Sequence, residues 1–267
     1  MTKEDAVRPA TDESNYPPLI LGEVTLPPRE CSYLPTEEAA LAYRQIARIS
    51  AADYQRYLER GWRRHGAYFF RPQCPACRKC RSLRVDVANF KASKSQRRCW
   101  KQNQDIAVQI GPPSLTRDHL DIFNRYHADM HQRRGWPLRE TSPEEYFESF
   151  LLGNFEFAAE FRYFRAEQLV GVGLVDITQA ASSSVYFYHD PDWRGRAPGV
   201  FSMLVELGYA KDRGIDHHYL GYWIRECPSM AYKSQYGPHE LLQEYVDDNA
   251  APSWLPPQTV VDDGVST

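Results

Sequence analysis

Three consecutive segments are strand-like and joined by only a few residues: FEFAAEFRYF (155–164), QLVGVGLVDI (168–177) and SSVYFYHD (183–190). Connections this short suit an antiparallel meander. The next stretch, GVFSMLVELGYAKDRG (199–214), has the periodicity of an amphipathic helix and stops at Gly214. HHYLGYWI (217–224) then reads as a further strand and SMAYKSQYG (229–237) as a last short helix. A chain containing this run must build a sheet and pack helices on it.

Upstream, SAADYQRYLERGWRRHG (50–66) predicts a short helix with Ser50 as N-cap and Gly61 just past its end. AYFFRP (67–72) and SLRVDV (82–87) read as strands, SKSQRRCWKQNQ (93–104) as a basic helix and IAVQIG (106–111) as a short strand. Two helices follow. One is capped by Thr116; the other begins SPEE, with Ser142 as N-cap, Pro143 at the first helical position and Glu145 closing a capping box. The fold class is therefore α+β, and the order helix–helix–β–β–β–α–β is that of an acetyltransferase-like (GNAT) mixed sheet. We expect a disordered tail over 1–18 and a smaller, Cys-containing basic α/β subdomain over 19–110. The acetyltransferase-like domain is expected over 111–249, with a second disordered tail, Pro-rich and acidic, over 250–267.

No apolar run approaches the roughly 20 residues that span a bilayer, and MTKEDAVRPATDESNYPP has no apolar core for a signal peptide. These readings predict a cytoplasmic protein with no membrane partner. The formal net charge of −3 argues against a nucleic-acid partner until its distribution is examined. From Arg56 to Lys101 there are fourteen Lys or Arg and two acids, whereas no Lys or Arg follows Lys233. Solvated faces normally mix both signs, so this field points to a polyanion.

Four constellations could carry chemistry. CPACRKC (74–80) puts Cys74, Cys77 and Cys80 on one tight loop, and Cys31 is the available fourth ligand. Such a set holds a structural zinc or an iron–sulfur cluster, and packed thiols without metal are the alternative. Cys99 and Cys227 read as ordinary thiols. KASKSQRRCWK (91–101) interleaves Lys91, Lys94, Arg97, Arg98 and Lys101 with Trp100, a pattern suited to backbone phosphates and one stacked base. The junction VYFYHDPDWRGRAPG (185–199) leads from a strand into a helix N-terminus, where anions bind. A coenzyme A pyrophosphate loop would read Arg/Gln-x-x-Gly-x-Gly/Ala; Arg194-Gly195-Arg196-Ala197-Pro198-Gly199 fits it poorly, and Pro198 lacks an amide donor. Last, YLGYWIRECPSMAYKSQYGP (219–238) is dense in Tyr and Trp beside a strand end, which suits a ligand pocket.

Five stretches together carry a resemblance: CSYLP (31–35), GWRRHGAYFFRPQCPACRKCRSLRV (61–85), SQRRCWKQNQD (95–105), VYFYHDPD (185–192) and YLGYWIRECPSMAYK (219–233). In this order, across both halves of the chain, the sequence resembles the bacterial aminoacyl-tRNA–protein transferases, the aspartate/glutamate leucyltransferases and the related arginyl-tRNA–protein transferases. The chain departs from that family at Ala197-Pro198-Gly199, where Ser-Leu-Gly is usual. The resemblance implies an acetyltransferase-like core that takes aminoacyl-tRNA. It implies transfer of leucine or arginine to a protein's N-terminal Asp or Glu, which marks that protein for N-degron proteolysis.

Aminolysis of an aminoacyl ester runs downhill, so transfer requires no cofactor. The acceptor's α-amine, with an unperturbed pKa of about 7.7–8, is already partly neutral. Positioning, an oxyanion donor and a proton acceptor complete the need. On this reading Tyr188, Asp190, Tyr222 and Lys233 line the transfer centre, with Asp190 or His189 as base and Tyr222 or Lys233 as oxyanion donor. Arg71, Arg97 and Arg98 read the acceptor's acidic side chain or tRNA phosphates. Lys91, Lys94 and Lys101 bind the tRNA backbone, and Trp223 and Met230 contact the donor side chain. The competing readings are an acetyl-CoA-dependent N-acetyltransferase on the same fold and a non-catalytic tRNA-binding protein.

Overall fold

The computed structural model describes residues 16–153 and 155–259. The chain begins with β1 (Leu19–Thr25), the short pair β2 (Arg29–Glu30) and β3 (Glu38–Ala39), and β4 (Leu41–Arg48). Helix α1 (Ala51–Glu59) is followed by β5 (Arg63–His65), β6 (Tyr68–Pro72) and β7 (Arg81–Asp86). Helix α2 (Lys94–Gln102), β8 (Ile106–Gly111), α3 (Arg117–Arg134) and α4 (Pro143–Tyr146) lead into the meander of β9 (Ala158–Arg165), β10 (Gln168–Ile177) and β11 (Ala181–His189). After it come α5 (Pro198–Asp212), β12 (His217–Trp223), α6 (Pro228–Ala231), β13 (His239–Leu242) and β14 (Trp254–Leu255).

The helices start where side chains satisfy their first amides. Ser50 Oγ accepts from Asp53 N at 3.0 Å, and Ser93 with Gln96 and Ser142 with Glu145 form reciprocal capping boxes. Each such cap contributes about 1 kcal/mol. Helix α3 stops at Gly135, whose φ of 68° is the left-handed conformation that ends a helix without a Cβ penalty.

Eight strands make the large sheet, in the order β14-β13-β7-β12-β11-β10-β9-β8. All its neighbours are antiparallel except β11 and β12. This mixed α+β sheet has the element order expected from the sequence. Met203, Leu207 and Ala210 of α5 pack on Leu83, Val85 and Leu220, while Phe201 joins Phe161, Tyr163 and Trp193. Ile122 and Phe123 of α3, with Tyr146, pack on Val172, Leu174 and Tyr188. A smaller antiparallel sheet, β1-β4-β6-β5, closes over α1 around Ile46, Tyr54, Leu58, Trp62 and Phe69, and this cluster continues into Ala181 and Tyr219 of the large sheet.

The one parallel pair positions the site. Strands β11 and β12 pair only over Ala181–Ser183 with His217–Tyr219 and then part. Arg63 of β5 enters the fork and donates to Ser183 Oγ and to the carbonyl of Ser184, the residue just past the last pair. Across from it Gly221 has φ of 81°, and a Cβ there would lie 3.3 Å from Arg63 Nε. The β12–β7 register shifts between Tyr219 and Gly221. A glycine is thus required both by the backbone and by the guanidinium beside it.

Two of the expected boundaries fall inside ordered structure. β7 lies between β13 and β12, and β8 forms an edge of the same sheet, so residue 110 is no break in the large sheet. The expected tail from 250 is ordered as far as 259. Trp254 pairs through β14 with β13, donates Nε1–H to Glu59 O at 3.0 Å and stacks edge-on to Tyr219 at 5.5 Å. Residues 1–15 and 260–267, the remainder of the two expected tails, lie outside the described residues.

Candidate active site

Where β11 and β12 part, a cavity of about 410 Å³ opens, a size that holds a small ligand. Ser184–Phe187 and His189 form its β11 wall, Leu220–Tyr222 its β12 wall, and Gly199, Ser202, Met203 and Glu206 its α5 wall. Arg63, Arg64, His65 and Phe70 enter from the small sheet, and Met230, Tyr232 and Lys233 from the segment after β12. Phe70, Phe187, Met203, Leu220 and Met230 give it apolar surface.

The polar groups form two sets. Glu206, buried on α5, accepts from Ser202 Oγ at 2.8 Å and from Ser184 Oγ. His218, also buried, stands behind it. His218 Nε2 lies 3.3 Å from Glu206 Oε2 and 3.1 Å from Ser184 Oγ, and Nδ1 lies 2.8 Å from Ser182 Oγ. Carboxylate and serine meet the same imidazole nitrogen, so this is a proton-holding network rather than a relay that would activate Ser184 as a nucleophile.

The second set is cationic. Lys233 donates from Nζ to Tyr222 O at 2.6 Å, with Met230 Sδ at 3.4 Å. Burial and then the neighbouring Arg63 guanidinium depress its pKa to about 7. His65 is driven down to about 4 by burial and by Arg63 and Arg64, so it enters the cleft neutral. Arg64 is committed to Asp176 through Nε at 2.9 Å and through Nη2, and Tyr54 donates to the same carboxylate.

Of the residues singled out in the sequence, Tyr222, Lys233 and Met230 line this cavity, as does His189. The others are placed elsewhere. Tyr188 is fully buried in the α3 face of the sheet, its hydroxyl 2.7 Å from Tyr146 Oη. Asp190 is buried and holds Arg125 bidentately at 2.8 and 3.0 Å while accepting from Asp192 N at 2.9 Å. That is a turn cap with an ion pair, and Asp190 is outside the cavity lining. Tyr222, though at the cavity wall, directs its hydroxyl to the carbonyls of Gly61 and Phe70 at 3.0 Å each, and burial raises its pKa well above the usual value. It pins β12 to the small sheet rather than facing an oxyanion.

Arg71 donates to Val246 O at 2.7 Å and lies over Trp62, outside the cavity lining. Trp223 turns its Nε1 toward Ala231 O and packs with the α5 core. Lys91, Lys94, Arg97, Arg98 and Lys101 are exposed on or just before α2, away from the cavity wall. Helix α2 itself abuts the start of α5: the Trp100 ring packs tilted against Phe201 at 5.3 Å between centroids, and Cys99 Sγ donates to Ala197 O at 3.5 Å.

The expected metal is corrected. Among the described residues no three His, Cys, Asp or Glu side chains are placed to hold an ion. Cys31 is buried in an apolar cluster with Leu34, Ile224 and Cys227, against which Cys77 and Cys80 pack, and Cys74 Sγ points to Ala40 O. Burial pushes the Cys80 thiol up to about 12 and raises Cys77 as well, which favours thiols over the thiolates a metal binds. The set Cys31, Cys74, Cys77 and Cys80 is therefore packed thiols in this structure.

The α5 start bears on the donor. Ala197, at φ of 54°, caps the helix without a side-chain bond. Pro198 has no N–H, and Val200 and Phe201 both donate to Ala197 O. Gly199 is left as the amide able to meet an anion at the cavity edge, too few for a pyrophosphate cradle. Among the described residues no helix is long and apolar enough to cross a membrane.

Sequence searches agree with this architecture. A model described as arginine-tRNA-protein transferase, N terminus, matches residues 29–98, and its C-terminal counterpart matches residues 118–243. An aspartate/glutamate leucyltransferase of Helicobacter hepaticus is 37% identical over 84% of this chain and 93% of its own length. The enzyme of the same name from Nitrosococcus oceani is 36% identical over 82% of this chain and 91% of its own. Among solved structures, L-PGS from Bacillus licheniformis is matched at a TM-score of 0.40 and 12% identity, over 65% of this chain and 50% of that one, a likeness too slight to carry an argument. On the strength of the two domain matches and of relatives aligned over most of both chains, this chain belongs to the arginine-tRNA-protein transferase family, together with the aspartate/glutamate leucyltransferases.

Proposed function

We propose that the protein transfers leucine from leucyl-tRNA to the N-terminal α-amine of proteins that begin with Asp or Glu, a modification that directs them to N-degron proteolysis in the cytoplasm. The observation that carries this reading is the cleft between β11 and β12. It combines a buried acid, apolar walls and a helix start without an amide cradle, so it suits an aminoacyl ester better than coenzyme A. The names of the relatives favour leucine, and the apolar wall of Phe70, Phe187, Met203, Leu220 and Met230 accepts a branched aliphatic side chain.

The chemistry asked of the chain is modest. The acceptor amine attacks the ester carbonyl of the donor, the C–N bond forms and the ester C–O bond breaks. The tRNA 3′-terminal oxygen leaves as a hydroxyl that takes up, by way of the proton acceptor, the proton the amine sheds. Holding amine and ester together supplies most of the acceleration. Glu206 is the carboxylate within reach of the cleft, and it takes the proton the amine sheds, with His218 and Ser184 sharing the charge. The exposed Lys91, Lys94, Arg97, Arg98 and Lys101, on or just before α2, provide a track for the tRNA backbone outside the cleft. The test is the mass of a Glu-initiated peptide after incubation with the protein and a fully charged tRNA pool. A gain of one leucyl residue supports the reading; a gain of arginine changes the donor. No gain, with acetylation from acetyl-CoA, rejects it.

A further inference from the structure

Two cationic side chains end at the same turn of β12 with no carboxylate to balance them. Arg63 is 8% exposed and spends its guanidinium on Ser183 Oγ and Ser184 O. Lys233 spends its ammonium on Tyr222 O at 2.6 Å. A Cβ on Gly221 would lie 3.3 Å from Arg63 Nε, and Gly221 directly precedes Tyr222, so the two heads lie at adjacent residues of β12. Among the described residues neither cation has an acid within 4 Å, whereas Arg64 is paired with Asp176, Arg84 with Glu240 and Arg125 with Asp190.

A cation withdrawn from water without a counter-charge is costly, and a protein that keeps two of them on one cavity wall is built for an anion that arrives. Glu206 lines the α5 wall of the same cleft. The cleft is thus polarised, acid on the α5 side and cations on the β12 side. An N-terminal Asp or Glu has the matching arrangement, an α-amine and a side-chain carboxylate on one residue.

We propose that Arg63 and Lys233 read the carboxylate of the acceptor's first side chain and so set the selection of Asp and Glu over Asn and Gln; this rests on the transfer reading given above. Arg63 offers a planar fork held by β11, and Lys233 a point charge at the end of an unbranched stem on the segment after β12. Burial and the Arg63 guanidinium depress the pKa of Lys233 to about 7, and a carboxylate placed beside it would favour its charged form again. A phosphate of the tRNA 3′ end is the other anion that could seek this wall, and the two are separable by kinetics.

The experiment measures kcat and KM with preformed leucyl-tRNA and peptides that begin with Glu or Gln, for wild type, Lys233→Met, Lys233→Arg and Arg63→Lys. The wild type should favour Glu. Lys233→Met should cut kcat/KM for the Glu peptide about tenfold or more, the worth of one charged hydrogen bond. The loss should fall on the acceptor KM and narrow the Glu/Gln ratio by the same factor. Lys233→Arg should recover most of it, and the KM for leucyl-tRNA should move by less than about twofold. Because Arg63 also holds the fork, Arg63→Lys is read beside its melting curve, and the Lys233 variants decide the matter if it unfolds. Equal losses on Glu and Gln peptides, or a loss carried by the leucyl-tRNA KM, would assign the cations to the donor and overturn the proposal. A wild type that leucylates no peptide at all overturns the transfer reading itself, and this proposal with it.

Discussion

Arg63 and Arg64 are neighbours in sequence and both are buried, yet they serve different ends. Arg64 closes a pair with Asp176, while Arg63 faces the cleft unpaired. In the sequence the two lie past the end of the predicted helix at Gly61 and read as part of the basic field, because charge density is the strongest local signal they carry. Their burial depends on Asp176 and Ser183, more than a hundred residues away, and no local periodicity encodes that. Asp190 illustrates the converse. Its place in HDPD suggests a base, but the group that consumes its oxygens, Arg125, is on a distant helix. We expect Asp190→Asn to lower stability by about 1–2 kcal/mol, since Arg125 is half exposed and the pair is partly screened. Per folded molecule, transfer should be unchanged, and a denaturant melt run beside an activity assay separates the two effects. Lys233 makes a pH prediction. Its pKa of about 7 in the fold lies below the usual 10.5 of the unfolded chain. Between those values the unfolded state binds the extra proton, so this group makes stability rise with pH from about 7 upward and is silent below it. Burial is the main cause, Arg63 lowers it further, and Cys80 and Cys227 act in the opposite sense. Melting curves of wild type and Lys233→Met should therefore shift in favour of wild type between pH 7 and 9, whereas curves that stay parallel would mean that Lys233 keeps its proton throughout.

At the level of elements, sequence patterns are informative wherever a cap or a period operates locally. Ser50, Ser93, Thr116 and Ser142 each cap the helix that the sequence places there, and the β9–β11 meander follows its alternation. Strands β1 and β4 are not legible. LAYRQIAR places Arg44 inside a strand, where it is held over Trp62 at 4.5 Å and hydrogen-bonded to Tyr57 and Asp248. A charged residue stabilised by aromatic faces looks polar in sequence and behaves as core. The cleft is half legible for a related reason: the aromatic-rich 219–233 stretch announces one wall, while Glu206 looks like the polar side of an amphipathic helix. Helix α2 carries its own prediction. If its exposed face meets the tRNA backbone, changing Lys94, Arg98 and Lys101 to Ser should reduce the slope of log affinity against log salt by about 0.7–0.9 for each phosphate that is no longer neutralised. The Glu/Gln selectivity of transfer should remain, because those residues lie outside the cleft. An unchanged salt slope in tRNA binding titrations would mean that another face receives the tRNA.

Across the whole molecule, β5 joins the two sheets. It pairs with β6 in the small sheet, yet its arginines bond to β10 and β11 of the large one. Tyr222 adds a third tie by donating from β12 to Gly61 O and Phe70 O. The cleft therefore cannot form unless both sheets are in place, although the family matches divide the sequence into an N-terminal and a C-terminal part. β7 strengthens this dependence by running between β12 and β13. The strongest single link is the Arg64–Asp176 pair with Tyr54, in which the carboxylate is 1% and the guanidinium 5% exposed. Replacing that pair with apolar groups could be neutral, but removing Asp176 alone leaves a buried guanidinium and a tyrosine hydroxyl without their acceptor. Asp176→Ala should cost about 3–5 kcal/mol on this account. The loss should appear as one cooperative transition shifted to lower denaturant, read identically by Trp fluorescence and far-ultraviolet circular dichroism, since the ties leave neither sheet free to melt first. Two separated transitions in Asp176→Ala would show instead that the small sheet folds on its own and that the cleft is an interface between two independent units.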